Sequence, residues 1–86
     1  MMYMFVGCNN LKYLNLPSSF NTYNVTNMKS MFDNCRKLEN LNLSSSFNTQ
    51  NVTNVDGIFY GCKYINNFNL SSFYKFNINI MLKKPV

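Results

Sequence analysis

The apolar residues of this 86-residue chain fall into two patterns that take turns along it. One has the spacing i, i+3, i+4, i+7. It occurs at Met28, Met31, Phe32 and Cys35, again at Val55, Ile58, Phe59 and Cys62, and in part at Met1, Met4, Phe5 and Cys8. That period predicts an apolar stripe on a short helix. Thr26-Asn27 and Thr53-Asn54 precede it, where side-chain oxygens can cap the first turn. Gly7, Asn34 and Gly61 stand near its far end, where a turn out of a helix favours Gly or Asn. The other pattern is L-x-x-L-x-L, at Leu11, Leu14, Leu16, then Leu38, Leu41, Leu43, then Ile65, Phe68, Leu70. Its last step has period two and predicts a short strand with one buried face. Tyr13, Asn15, Asn40, Asn42, Asn67 and Asn69 would then point outward.

The two patterns recur together. Cys8, Cys35 and Cys62 are 27 residues apart both times, and residues 8–34 match residues 35–61 at 15 of 27 positions. Such identity marks a tandem repeat, the sequence signature of stacked units. The expected fold is an α/β repeat solenoid, with one short strand and one short helix per 27-residue repeat and about three repeats. Repeats at about 1–26, 27–53 and 54–76 would make up a solenoid over residues 1–73. Between strand and helix run Ser- and Asn-rich loops, anchored by Phe20 and Phe47 and shortened by one residue at Ser71-Ser72-Phe73. Residues 77–86 read as a degenerate C-terminal tail. A strand-like alternation over Phe76, Ile78 and Ile80 is possible there, and Lys83-Lys84-Pro85-Val86 reads as solvated. One unit cannot bury its own apolar face. Met1, Met4 and Phe5 would be left exposed at the front, which predicts marginal monomer stability or end-to-end self-association.

These residues resemble the BspA-like leucine-rich repeat surface proteins. Their units of about 26 residues read approximately N-x-x-x-M-F-x-x-C-x-x-L-x-x-L-x-L-S-x-F-x-T-x-x-V-x-N-M. Asn27, Met31, Phe32, Cys35, Leu38, Leu41, Leu43, Ser44, Phe47, Thr49, Val52 and Asn54 match in place, and Val55 departs from the family's Met. The resemblance covers residues 1–73. It implies a leucine-rich-repeat fold, a cell-surface or secreted location, and a role in adhesion or protein binding. No signal peptide is expected from these residues, which leaves the location of this form open. The letters FVGC at residues 5–8 look like a lipobox, but too few residues precede them, and the repeat accounts for them. The chain starts within a repeat, as a piece of a longer array would.

Composition narrows the chemistry. Eight cations oppose three acids, giving a net charge of +5, with no His. Without His, neither a Ser-His nor a Cys-His nucleophile pair can be built. Asp33, Glu39 and Asp56 occupy different repeat registers, so paired carboxylates are not expected. No phosphate loop or dinucleotide fingerprint occurs, and no cofactor is expected. The three Cys lack CxxC spacing, so no zinc site is expected. They read as small buried apolar residues rather than reactive thiols. Like charges never exceed two in a row, which argues against nucleic acid, and no apolar run is long enough to span a membrane. The Asn columns 21/48, 24/51 and 27/54 read as loop-satisfying hydrogen-bond formers. The N-x-S/T triplets at Asn24, Asn42, Asn51 and Asn69 follow from the repeat.

The leading reading is a non-enzymatic interaction or adhesion module. It would bind a protein or glycan through the exposed face of Tyr13, Asn15, Asn40, Asn42, Asn67 and Asn69. The alternatives are an orphan repeat fragment or intracellular scaffold, and a weak polyanion binder using Arg36, Lys37 and Lys63.

Overall fold

The computed structural model describes residues 2, 4–44 and 46–85. Two strands form where the period-two runs predicted them: β1, Tyr13–Leu16, and β2, Asn40–Leu43. They pair in parallel, with Tyr13 beside Asn40, Leu14 beside Leu41, Asn15 beside Asn42 and Leu16 beside Leu43. The alternation does what its chemistry requires. Leu16 and Leu41 enter the core, while Tyr13, Asn15, Asn40 and Asn42 stay in solvent.

The rest departs from the expected solenoid. Among the described residues there are only these two strands and one α-helix, α1, Ile78–Leu82. The third L-x-x-L-x-L copy makes no strand. Ile65 starts a 3-10 turn at Ile65–Asn67 that Phe68 closes, and Leu70 precedes a second at Ser71–Phe73. The apolar stripes make no helix either. The expectation of one strand and one helix per repeat is therefore corrected to two short parallel strands, linked turns and a short closing helix. The molecule has no long axis, with extents of 28 × 28 × 20 Å.

The reason lies in where the amides donate. In residues 28–35, Met31, Asp33 and Cys35 donate to the carbonyls of Met28, Ser30 and Phe32, three residues back. The alternate amides of Met28, Ser30, Phe32 and Asn34 instead donate outward, to the carbonyls of Asn54, Asp56, Ile58 and Tyr60. An α-helix would need i→i−4 bonds throughout. Ser30 (φ 58°) and Asn34 (φ 61°) are left-handed, as are Gly57 and Gly61 one repeat later. A left-handed residue inside the stripe breaks helical propagation. Successive tight turns still deliver the stripe to one side, and Met28, Met31, Phe32 and Cys35 are fully buried.

Equivalent residues do meet. Phe5 stacks on Phe32 with centroids 5.4 Å apart, Phe32 on Phe59 at 5.5 Å, and Phe20 on Phe47 at 6.4 Å. At the front, Met4 is exposed, whereas Phe5 is half-buried against Phe32. Met1, the remaining residue of that stripe, lies outside the described residues.

The tail is neither strand nor fully solvated. Asn77 caps α1 by accepting from the Asn79 amide. Met81 sits in the core, and its carbonyl accepts from the Phe59 amide. Pro85 packs on Gly57 so closely that a Cβ there would fall 2.6 Å from the proline Cδ. Lys83 and Lys84 remain exposed.

Candidate functional site

The paired strands carry four of the six residues expected on a binding face. Tyr13 and Asn40 lie side by side, as do Asn15 and Asn42, and all four are exposed, with Tyr13 at 63%. Leu14, Leu16, Leu41 and Leu43 turn the other way, so the backbone ladder fixes this row rather than chance side-chain placement. Asn67 and Asn69 are also exposed but lie beyond the sheet, Asn67 in the 3-10 turn and Asn69 in the connection after it. The Asn69 side chain is engaged locally, accepting from the Ser71 amide at 3.0 Å. The strand row is uncharged. It offers one aromatic ring and three carboxamides, each with paired donors and an acceptor.

Five of the six Asn in the columns 21/48, 24/51 and 27/54 form hydrogen bonds with backbone groups, Asn24 being the exception among the described residues. Asn21, Asn27, Asn48 and Asn54 each accept from the amide two residues on, the Asx-turn arrangement. Asn51 donates to the Tyr23 carbonyl at 2.6 Å.

The cysteines are free, with Cys35 and Cys62 buried and Cys8 partly so. The thiols of Cys35 and Cys62 donate to the carbonyls of Phe5 and Phe32 at 3.0 and 3.1 Å. Burial pushes Cys35 up to about 11 and Cys62 up to about 12. A thiol held protonated in this way is a poor nucleophile and a poor metal ligand. Among the described residues no group of three or more His, Cys, Asp or Glu could hold a metal ion. No described helix is long and apolar enough to cross a membrane. Arg36, Lys37 and Lys63 are exposed, and the Lys63 ammonium lies 5.6 Å from the Tyr64 ring centre.

Two features escaped sequence reasoning. Thr22 and Thr49, 27 residues apart, are almost wholly buried. The Thr22 hydroxyl donates to the Asn48 carbonyl at 2.7 Å and accepts from the Asn48 amide at 2.8 Å. The Thr49 hydroxyl donates to the Ser72 carbonyl. Their invariance of position was visible in the repeat, but Thr in a Ser- and Asn-rich loop gives no sign of burial. The second feature is a cleft lined by Asn48, Thr49, Gln50, Ser71, Ser72 and Tyr74.

A family model described as "Mycoplasma protein of unknown function, DUF285" matches residues 1–83. No curated protein and no solved structure matches the chain.

Proposed function

The chain thus belongs to the DUF285 family, whose description assigns no activity, and on that premise we propose that it is a non-enzymatic interaction module. Its partner-facing surface is the strand row of Tyr13, Asn15, Asn40 and Asn42. The observation that carries this reading is the parallel register, which holds an exposed tyrosine and three exposed carboxamides on one rigid, uncharged surface. Tyr offers a large contact area at small conformational cost, and amides supply adaptable hydrogen bonds, a combination suited to protein recognition. Groups placed on strands are better preorganised than groups on loops. The adhesion role and the surface or secreted setting belong to the same proposal. They extend from the likeness to the BspA-like proteins.

The test compares two immobilised proteins, the unaltered chain and Tyr13→Ala/Asn42→Ala, against the same pool of extracellular proteins. Both replaced side chains are exposed, so the fold should survive, and a matching circular dichroism melt checks that. A partner retained by the first should bind the second at least about tenfold more weakly, a difference of about 1.4 kcal/mol. Equal retention of every partner by both proteins would overturn the assignment of this face.

A further inference from the structure

We propose that the cleft between residues 48–50 and 71–74 is a binding site for a neutral pyranose sugar, separate from the strand row. The cleft is a shallow groove open to solvent, with a volume of about 410 Å³, within the roughly 300–1,000 Å³ common for small-ligand sites.

Its chemistry selects the ligand class. No lining side chain is charged: Asn48, Thr49, Gln50, Ser71, Ser72 and Tyr74 supply amides, hydroxyls and one aromatic ring. Lys75, which follows directly, donates its ammonium to the Gln50 carbonyl at 3.0 Å and also lies over the Phe76 ring. An anion therefore finds no unengaged cation in the lining, and a cation finds no carboxylate. A pyranose presents hydroxyls that both donate and accept, together with an apolar face of C–H groups. Carboxamides and hydroxyls complement the first, and an aromatic face complements the second. Tyr74 is 80% exposed, far more than a ring of that size kept for packing would be.

The walls are held before any ligand arrives. The Thr49 hydroxyl donates to the Ser72 carbonyl, and the Ser72 hydroxyl donates to the Phe47 carbonyl at 3.2 Å. The Asn48 side chain accepts from the Gln50 amide, and Asn69 accepts from the Ser71 amide. These bonds leave the Asn48 NH₂, the Gln50 carboxamide, the Ser71 hydroxyl and the Tyr74 hydroxyl without a partner among the described residues. Four hydrogen-bonding groups and a ring thus line one open groove whose backbone is already fixed. Such preorganisation lowers the ordering cost of binding.

The site also has a physical origin in the chain. Thr22 approaches the Ser46 carbonyl, and Thr49 donates to the Ser72 carbonyl, so Ser46 and Ser72 correspond. The residue two beyond Ser46 is Asn48, and the residue two beyond Ser72 is Tyr74. Tyr74 therefore replaces Asn48 at the corresponding place, which sets an aromatic ring where the preceding copy has an amide.

Backbone amide shifts of ¹⁵N-labelled protein are followed during titration with methyl glycosides of glucose, galactose and mannose and with N-acetylglucosamine. At least one should give saturable shifts centred on Gln50, Ser71 and Tyr74, with affinity in the millimolar range. Tyr74→Ala should weaken that binding at least about tenfold. Gln50→Ala should weaken it several-fold, and Tyr13→Ala should leave it unchanged. Because Tyr74 and Gln50 are exposed, neither variant should disturb the fold, which the unshifted core resonances verify. The proposal is overturned if no glycoside produces saturable shifts at these residues, if Tyr74→Ala binds as tightly as the unaltered chain, or if uridine perturbs the cleft and no sugar does. Loss of sugar binding without loss of the strand-row partner, or the reverse, distinguishes the two surfaces.

Discussion

Ser30 combines two unfavourable features at one residue. Its backbone is left-handed at φ 58°, a region costing an L-residue about 1–2 kcal/mol. Its hydroxyl is fully buried without a hydrogen-bond partner among the described residues, and such a group costs about 1–3 kcal/mol. One repeat later the same place is held by Gly57, also left-handed at φ 62°. Ser30→Gly should relieve both terms. Against them stand the extra chain entropy of glycine, about 0.5–1 kcal/mol, and the packing lost with the small side chain. The net should be a stabilisation of about 1 kcal/mol, visible as a melting temperature about 4–8 °C higher. A thermal melt followed by circular dichroism checks it, and an unchanged or lower midpoint would show that the serine has a packing role greater than its strain.

At the scale of elements, the connections are held by side-chain latches rather than by helices. Thr22 engages both the amide and the carbonyl of Asn48 from a buried position, whereas Thr49 engages the Ser72 carbonyl alone. Thr22→Val keeps the shape but strands two backbone groups, so it should cost about 2–3 kcal/mol. Thr49→Val strands one and should cost about 1 kcal/mol. Urea unfolding with an unchanged m-value measures the pair, and the order of the two costs is the discriminating result. The same contrast shows what could be read in advance. The strands were legible because period two admits few other structures, and with them the outward row of Tyr13, Asn15, Asn40 and Asn42. The left-handed places at Gly7, Asn34 and Gly61 were legible from residue type. The turns at residues 28–35 and 55–62 were not, because i, i+3, i+4, i+7 describes both a helix and consecutive i→i+3 turns. The warning was Gly57 inside the stripe, since a second left-handed residue rules a helix out. Asn67 and Asn69 were misplaced because the third copy carries the leucine spacing into 3-10 turns. The cleft depended on Tyr74 standing where the preceding copy has Asn48, a match that the one-residue shortening hides until the bonds of Thr22 and Thr49 align the two loops.

For the molecule as a whole, stability turns on α1, which supplies the acceptors for the third step of the amide ladder. Amides at Phe5, Phe32 and Phe59 all donate toward later chain, to Met31, Ile58 and Met81 in turn. Phe59 would have no such acceptor without α1, a helix too short at five residues to persist alone. It is held there by its one buried side chain, Met81, and it returns the favour through the Ile80 and Met81 carbonyls that accept from Gly57 and Phe59. The other helix residues, Ile78, Asn79, Ile80 and Leu82, are exposed. Met81→Ala removes the anchor and should cost about 2–5 kcal/mol, a large share of the roughly 5–15 kcal/mol typical of a small domain. Leu82→Ala should cost under about 1 kcal/mol, since an exposed site makes little difference. Hydrogen exchange supplies the sharper readout. In Met81→Ala the amides of Gly57 and Phe59 should lose protection before that of Phe32, whose acceptor is Ile58 rather than the helix. Uniform loss at all three would mean that the closing helix does not act as a separate cap.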